Sequence, residues 1–346
     1  MKRYLTYDDV NIVPKYSELE SRSDVDLTSR FTKNIELQIP IVSSPMDTVT
    51  EYDMAKIMMD LGGVGVVHRF MSIKKQTEIV EKLWAYTFTT DDRYPVCAAV
   101  GVTGDYLERA QELVKNGCNV LLIDVAHGHH KLVGKAIGKI KKIISEIEVV
   151  AGSVATGEAT KYLCEKGADA IRVGIGNGSL CETRIRTGVG IPQVTALLDC
   201  VAVADSYNTP VIADGGIRNI GDVCKGLACG ADTIMLGSLL SGTKETPGTI
   251  EKIGEWPNEM LHKKYRGSAS LDSKKSRGDD KNVEGNYKII PYKGKVKRII
   301  KGIQEGLRSS FSYVGANNIS EFHSKVELIQ VTVAGQIEAK PHLLYN

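Results

Sequence analysis

Three segments of the chain repeat one plan, in which a glycine and a short turn lead into an apolar run. The segments read GCNVLLID, GADAIRVG and GADTIMLG, at 117–124, 167–174 and 230–237. The first glycine supplies the left-handed backbone conformation that commonly ends a helix. The run that follows is nearly all apolar, which is typical of a strand covered on both faces. Such a strand is buried on both faces only when helices cover its sheet. The chain is therefore predicted to alternate helices with parallel strands.

Eight candidate strands of this kind are separated by amphipathic stretches that are typical of helices. The strands are predicted at 39–43, 64–67, 96–100, 120–124, 149–151, 170–173, 210–213 and 233–236. The clearest helical patterns lie at 105–116, 131–147, 159–166 and 295–307. Eight parallel strands that alternate with helices predict an α/β fold, a closed (β/α)8 TIM barrel. An open, doubly wound sheet shows the same alternation and stays an alternative on the pattern alone.

A long segment after the last predicted strand, at about 265–292, interrupts the alternation. It is rich in glycine and charged residues and has no apolar period. Loops of this length are usually functional or disordered. After the last strand of a barrel, such a loop lies above the face that holds active sites. We therefore predict a single catalytic domain over 1–346, with a long mobile flap at about 265–292.

Charge and cysteine content limit the classes of function. The formal net charge is +2, which gives no sign of binding to nucleic acid or to an anionic membrane. No apolar run reaches the roughly 20 residues of a membrane span, and the first residues contain no signal-peptide stretch. The seven cysteines are dispersed, with no CxxC pair, as in proteins of a reducing compartment. We expect a cytoplasmic protein.

A glycine-rich loop after the sixth predicted strand contains the best candidate nucleophile. The loop reads GIGNGSLCETR and presents Cys181 among polar neighbours. The cysteine can also be incidental, because lone cysteines are more often packing residues than nucleophiles. The other six cysteines fall in strand or helix patterns, which favours burial for them.

Two further glycine loops, after the seventh and eighth predicted strands, indicate a phosphate site. Two glycines follow Asp214, and Gly237-Ser238 ends the eighth strand. Backbone N–H groups and helix N-termini after the late strands commonly bind phosphate in this fold. Asp214 can bond a ribose diol. Asp124, at the end of the fourth strand, is another functional candidate, whereas the histidines after it lack the spacing of a metal site.

With these loops in place, the sequence resembles the inosine-5′-monophosphate (IMP) dehydrogenase / guanosine-5′-monophosphate (GMP) reductase family over nearly its whole length. The resemblance rests on the motifs LTYDDVNIVP, SRSDVDLT, SSPMDTVTE, GGVGVVHR, AAVGVTGD, LIDVAHGH, VGIGNGSLCETR, TGVGIPQ, ADGGI, MLGSLLSGT, YRG and SYVGA. It implies a barrel that usually assembles as a homotetramer. Many of the dehydrogenases carry a regulatory cystathionine-β-synthase (CBS) pair after the second barrel strand. Only a short connection around 86–94 lies there in this chain, so that module is predicted to be absent.

The resemblance implies covalent redox chemistry at C2 of a purine nucleoside 5′-monophosphate. Cys181 would attack C2 and form a thioimidate, which splits one difficult substitution into two steps. Hydride would pass between that carbon and a nicotinamide cofactor, NADPH or NAD. Thr183 and Glu284 would complete the catalytic set, since a hydroxyl and a carboxyl group together can relay a proton.

The resemblance also implies three sets of binding residues. The nucleotide would be bound by Met46, Ser179, Asp214, Gly216, Gly237, Ser238, Tyr265 and Gly267. The cofactor would contact Asp124 and Ser153. The backbone carbonyls of Gly176, Gly178 and Cys181 would lie where the dehydrogenases hold a monovalent cation, K⁺.

Two reactions are open within the resemblance. A reductase uses NADPH to convert GMP to IMP and ammonia, and a dehydrogenase uses NAD to oxidise IMP to xanthosine 5′-monophosphate (XMP). The dehydrogenases activate water with an Arg-Tyr pair in the flap, but here Gly278 follows Arg277, and no Arg-Tyr pair occurs between Tyr265 and Glu284. TGVG and SYVGA look more reductase-like, whereas AAVGVTGD and EAKPH look more dehydrogenase-like. The sequence favours reductive deamination of GMP, with oxidation of IMP as the alternative.

Four positions depart from the family's motifs. Ser153 replaces an asparagine, Asn177 a proline and Ser268 a methionine, and Glu182 places an acid directly after the nucleophile. These changes can alter the preferred purine. Two other classes also stay open: a non-catalytic nucleotide-binding relative, and a different phosphate-binding barrel enzyme, because a fold alone does not determine function. The intact cysteine loop argues against both.

Overall fold

A computed structural model describes residues 2–90, 94–255, 258–275, 281 and 283–341. The strands, in chain order, are β1 (Val10–Ile12), β2 (Ser29–Arg30), β3 (Glu36–Leu37), β4 (Ile41–Ser43), β5 (Val64–Val67), β6 (Cys97–Val100), β7 (Val120–Asp124), β8 (Glu148–Val154), β9 (Ala170–Val173), β10 (Val211–Asp214), β11 (Thr233–Leu236), β12 (Glu251–Ile253), β13 (Met260–Arg266), β14 (Tyr287–Pro291) and β15 (Leu328–Gln330).

Helices alternate with these strands through most of the chain. The α-helices are α1 (Tyr52–Asp60), α2 (Ile73–Thr87), α3 (Tyr106–Lys115), α4 (Lys131–Ile143), α5 (Gly157–Glu165), α6 (Thr183–Thr187), α7 (Gln193–Ala204), α8 (Ile220–Ala228), α9 (Leu271–Lys275), α10 (Val296–Val314), α11 (Ile319–Lys325) and α12 (Val333–Glu338). Short 3₁₀ helices lie at Tyr7–Asp9, Arg22–Asp24 and Asp205–Tyr207. Over the described residues, no helix combines the length and the apolar character that crossing a membrane requires.

Strands β4 to β11 close into a barrel of eight parallel strands. Each strand pairs with its neighbours in the chain, and β11 returns to pair with β4, with Ile234 opposite Ile41. The predicted TIM barrel is therefore confirmed, and the open doubly wound sheet is excluded. The predicted strands at 64–67, 120–124, 170–173 and 233–236 agree with the observed bounds.

The near-continuous apolar character of the strands reflects burial on both faces. Val120 and Leu122 of β7 point into the barrel, where they pack in an interior cluster. Leu121 and Ile123, the alternate residues of the same strand, pack in the larger layer between the strands and the surrounding helices. Because neither face meets water, polar residues inside this barrel stand out as exceptions.

The chain after β11 is more regular than its sequence indicates. Strands β12, β13 and β14 form an antiparallel sheet, in which Tyr265 lies opposite Lys288 and Arg266 opposite Tyr287. Both ends of the segment predicted as a flap therefore belong to strands, and α9 follows β13. Residues 276–280 and 282 of that segment, which include Arg277 and Gly278, lie outside the described residues.

Candidate active site

A cavity of about 1230 Å³ opens at the carboxyl ends of the barrel strands. Its walls include every residue that the sequence predicts for the site: Met46, Asp124, Ser153, Gly176, Gly178, Ser179, Cys181, Thr183, Asp214, Gly216, Gly237, Ser238, Tyr265, Gly267 and Glu284. Cavities for single drug-sized ligands are commonly about 300–1,000 Å³. This cavity therefore has room for a nucleotide and for part of a second ligand beside it.

The cysteine loop follows β9 and turns tightly against the end of β10. Gly174 has a φ of 152°, and a Cβ at this position would lie 1.9 Å from the carbonyl oxygen of Asp214. Only glycine can therefore bring the loop this close to the neighbouring strand. Cys181, further along the loop, and Asp214 both line the cavity.

A line of hydrogen bonds connects the candidate nucleophile to a carboxylate. The Cys181 thiol donates to Thr183 Oγ1 at 3.2 Å, and the Thr183 hydroxyl donates to Glu284 Oε2 at 2.8 Å. Thiol, hydroxyl and carboxylate thus stand in sequence in one wall of the cavity. The three residues predicted as the catalytic set are in contact, and their roles stay predictions.

Backbone pairing brings Glu284 to the cysteine loop although 101 residues separate it from Thr183. Glu182 N–H donates to Glu284 C=O at 2.8 Å, and Asn286 N–H donates to Leu180 C=O at 3.1 Å. On the other side, Glu284 N–H donates to Ala269 C=O at 3.1 Å. We call this three-way pairing of 180–182, 267–270 and 284–286 the flap anchor. It fixes the position of Glu284 independently of its side-chain contacts.

The acid that follows the nucleophile is paired with residues other than Cys181. Glu182 Oε2 accepts from Arg186 Nε at 2.6 Å, and its other oxygen accepts from Asn286 Nδ2 at 3.3 Å. Its charge is therefore balanced by an arginine one turn along α6.

Arg172 joins the two acidic residues predicted to hold the two ligands. Its guanidinium lies 2.8 Å from Asp124 Oδ1 and 2.7 Å from Asp214 Oδ2, and only 12% of its side chain is exposed. Burial by itself lowers the pKa of Arg172, but the carboxylates of Asp214 and Asp124 raise it above its ordinary value. These two ion pairs hold Asp124 and Asp214 on either side of one guanidinium.

Sequence reasoning missed Arg172, although a signal was present. In the threefold repeat, its position corresponds to Leu122 and Met235, both of which point into the barrel. An arginine at an inward-facing apolar position is costly unless it is paired, so it indicates a functional or structural ion pair.

Arg69 is a second residue that the sequence analysis missed. It follows β5, lines the cavity and stacks on Phe70, with 4.9 Å between its guanidinium carbon and the ring centroid. Its Nε lies 3.6 Å from Asp124 Oδ2, and this buried N–H has no hydrogen-bond partner among the described residues. Arg69 therefore adds a second positive charge beside Asp124.

Hydroxyl groups also line the cavity, among the residues predicted to bind the nucleotide. Ser179 Oγ and the Tyr265 hydroxyl are 3.2 Å apart and hydrogen-bonded, and Tyr265 also reaches Met46 Sδ at 4.0 Å. Burial raises the pKa of Tyr265, so its phenol stays neutral and can donate. The Ser238 carbonyl accepts from Lys293 Nζ at 2.8 Å, which fixes the loop after β11.

Asn177, one of the departures from the family's motifs, connects the cysteine loop to the loop after β10. Its side chain donates to Gln193 Oε1 and, at 3.2 Å, to the Asp214 carbonyl. Its own carbonyl accepts from Gly216 N–H at 2.9 Å. In the family's motif a proline restricts the cysteine loop at this position. In this chain, the hydrogen bonds of Asn177 restrict it.

We expect Asn177→Ala to raise the KM for the nucleotide about fivefold, because each hydrogen bond lost contributes about 1 kcal/mol. Steady-state kinetics of Asn177→Ala, Gln193→Ala and the double variant measure the effect. Since the two side chains bond to each other, their effects should be less than additive. Fully additive effects would show that the contact with Gln193 does not hold the loop.

The predicted monovalent-cation site is partly occupied by internal contacts. The Gly178 carbonyl accepts from Cys181 N–H at 3.0 Å, and the side chain of Arg184 packs against Gly176. Over the described part of the chain, no three His, Cys, Asp or Glu side chains are grouped as a metal site. A cation held by the carbonyls of this loop stays a prediction.

Known proteins are similar to this chain over nearly its whole length. A family model described as "IMP dehydrogenase / GMP reductase domain" matches residues 4–342. An inosine-5′-monophosphate dehydrogenase of Cryptosporidium parvum is 38% identical, with 98% of this chain and 94% of the relative covered. Dehydrogenases of the same name from Borreliella burgdorferi and Nitrosopumilus maritimus are 36% and 33% identical, with at least 98% of either chain covered.

Proposed function

The chain belongs to the IMP dehydrogenase / GMP reductase family of purine nucleotide oxidoreductases, and we propose that it acts at C2 of a purine 5′-monophosphate through Cys181. The observation that supports this proposal most strongly is the line from Cys181 through Thr183 to Glu284 inside the cavity. Covalent catalysis needs a nucleophile within hydrogen-bond reach of a proton acceptor, and this line provides both.

In the proposed complex, the loops after β10 and β11 hold the phosphate, with N–H groups around Gly216 and the hydroxyl of Ser238 as donors. Asp214, kept in place by Arg172, accepts hydrogen bonds from the ribose hydroxyls. The purine then lies over the cysteine loop with C2 at Cys181. Attack by the sulfur would form a C–S bond at C2, and departure of hydride from IMP, or of ammonia from GMP, would then leave a thioimidate.

The residues on the Asp124 side of the cavity fit a nicotinamide cofactor, which would accept or deliver the hydride. Asp124 can bind ribose hydroxyls, and Ser153 adds a hydroxyl. Because Arg172 bonds both aspartates, it sets the distance between the two ligands. Room in the cavity for part of a second ligand agrees with this arrangement.

For the direction of the reaction we propose oxidation of IMP to XMP with NAD. The support comes from the relatives named above, which are dehydrogenases and align with this chain over nearly its full length. The chain's own residues are suited to the second step, hydrolysis of the thioimidate. As a carboxylate, Glu284 can accept a proton from an attacking water through Thr183.

Reductive deamination of GMP with NADPH, the reaction that the sequence favours, is the second candidate. The observation behind it is the flap sequence, which has no Arg-Tyr pair between Tyr265 and Glu284. Thr183 and Glu284 can instead pass a proton to the departing amine. This preference stays a prediction.

Absorbance at 340 nm distinguishes the two reactions in two cuvettes of purified protein. We expect a rise with IMP, NAD and K⁺, because NADH forms. A fall with GMP and NADPH would instead establish the reductase. Cys181→Ala and a cuvette with AMP are the controls, and both should stay flat. No change in either cuvette would contradict both directions and favour a different purine substrate or a non-catalytic role.

We propose in addition that the enzyme is cytoplasmic and assembles as a homotetramer, as the resemblance implies. Exposed apolar side chains on the sheet after the barrel, at Met260, Leu261 and Ile289, support a contact between subunits. Burying such side chains is favourable in proportion to the apolar area removed from water. Neither nucleic acid nor a membrane is among the proposed partners.

A further inference from the structure

We propose that Lys293 strengthens recognition of the nucleotide's 5′-phosphate from behind the loop after β11, without touching the phosphate. The inference rests on the proposed function, in which this loop and the loop after β10 hold the phosphate. It makes Lys293, two residues beyond β14, a positioning residue for phosphate binding. The sheet after the barrel thereby takes part in recognising the substrate.

Two successive backbone carbonyls of the loop bind the ammonium group of Lys293. Its Nζ donates to Ser238 C=O at 2.8 Å and to Leu239 C=O at 3.2 Å. Over the described part of the chain, Lys293 forms no ion pair with a carboxylate, so these carbonyls are the acceptors of its charge. Among the described residues that form the cavity wall, Lys293 is absent. Its effect on a ligand in the cavity is therefore exerted through the loop.

The same loop contains two backbone N–H groups that have no acceptor among the described residues. They are the N–H groups of Ser238 and Leu239. The carbonyl of each of their peptide units already accepts two hydrogen bonds. Gly237 C=O accepts from two N–H groups later in the loop, at 3.2 and 2.9 Å. Ser238 C=O accepts from a serine hydroxyl three residues along, at 2.7 Å, and from Lys293.

This pattern makes the two N–H groups stronger donors. The C=O and N–H of a trans peptide point in opposite directions, so a cation at the carbonyl leaves the N–H open to a ligand. Hydrogen bonds in a chain polarise one another, and the charge of Lys293 therefore strengthens donation by the N–H of Leu239. Gly237 and Ser238 line the cavity, where the phosphate is proposed to lie. An anionic oxygen gains most from such donors.

A second lysine of the same sheet makes the same kind of contact away from the cavity. Lys263 in β13 is 2% exposed, and its Nζ donates to Thr243 C=O at 3.1 Å and also to Thr246 C=O. These three residues are not part of the described cavity wall. Lys263 therefore stabilises the stretch that follows the phosphate loop, and it serves as the matched control for Lys293.

Calorimetric titration with IMP and with inosine, the nucleoside that lacks the phosphate, tests the inference. IMP is the substrate of one candidate reaction and the product of the other, and no cofactor is needed. We expect Lys293→Met to weaken IMP binding about fivefold, because charge-assisted hydrogen bonds that fix the loop are lost. Inosine binding, measured by competition with IMP, should change less than about twofold, since no phosphate is present to use the donors.

Two further measurements distinguish positioning of the loop from general stabilisation. Lys293→Arg keeps a cation and should retain most of the wild-type affinity for IMP. In steady-state kinetics, Lys293→Met should raise the KM for the nucleotide and leave kcat near wild type, because Lys293 does not reach the reacting atoms. Lys263→Met should lower the melting temperature and leave the affinity for IMP unchanged.

Unchanged IMP binding by Lys293→Met would overturn the inference. Equal weakening of IMP and inosine would also overturn it, as would a loss of IMP affinity in Lys263→Met as large as that in Lys293→Met. A protein that binds IMP but shows no turnover, with a phosphate-selective loss in Lys293→Met, would refute the proposed chemistry alone. Normal turnover together with unchanged IMP binding by Lys293→Met would refute the role of Lys293 alone.

Discussion

Cys181→Ala is expected to lower kcat by about 10⁴-fold or more, as loss of a covalent nucleophile does in other enzymes. The affinity for the nucleotide should stay within about threefold of wild type, since phosphate and ribose contacts lie on the loops after β10 and β11. Absorbance at 340 nm measures the first quantity and calorimetric titration the second. Because Cys181 is only partly buried, the melting temperature should change little.

A second cysteine serves as the control that distinguishes loss of the nucleophile from a general loss of stability. Cys164 lies in α5, is 7% exposed and does not line the cavity. Cys164→Ala should lower stability slightly and leave kcat near wild type. Near-normal turnover by Cys181→Ala would rule out a covalent thioimidate and, with it, the central role of the cysteine loop.

The second large effect is expected at Arg172. Arg172→Met removes the cation between Asp124 and Asp214, and breaking a buried pair commonly costs about 3–5 kcal/mol. We expect the melting temperature to fall by several degrees. The KM values for nucleotide and cofactor should rise together, because one guanidinium positions the carboxylate in each region. Thermal melts and steady-state kinetics with each ligand varied in turn measure these changes.

Arg109 provides the control for this experiment. Its side chain is 7% exposed and pairs with Asp105, but it lies outside the cavity wall. Arg109→Met should lower stability without raising either KM. If Arg172→Met lowers stability in the same way and changes neither KM, Arg172 is a structural residue only. Arg172→Lys keeps the charge but not the forked contact, so it should recover only part of the loss.

The barrel could be predicted because its strands are buried on both faces, which leaves a strong local pattern such as 120–124. The sheet after the barrel could not, because β13 reads MLHKKYR and mixes exposed and buried positions without a regular alternation of apolar residues. A strand of this kind depends on its partner β14, which lies beyond α9. Local pattern alone does not report such pairing.

The candidate site, like the fold, could be predicted only in part from the sequence. Cys181 and Asp214 follow predicted strands, so the rule that active sites lie at the carboxyl ends of barrel strands places them together. Glu284 reaches Cys181 only through the flap anchor, and that pairing has no local sequence signal apart from the family's motif. Arg172 did carry a signal, a charge at an inward-facing position of the repeat, which a comparison of the three repeats reveals.

The flap anchor has a consequence for how enzymes of this kind can diversify. Because the chain is held at 267–270 on its way out and at 284–286 on its way back, we expect an insertion between these points to leave the backbone pairing of Glu284 in place. Insertions there lengthen a loop whose ends are already fixed, at a small entropic cost. Residues carried on such an insertion can reach the substrate without displacing Glu284. An inserted segment can therefore supply residues for a different second step of the reaction, while Cys181 and its hydrogen bonds through Thr183 to Glu284 remain unchanged.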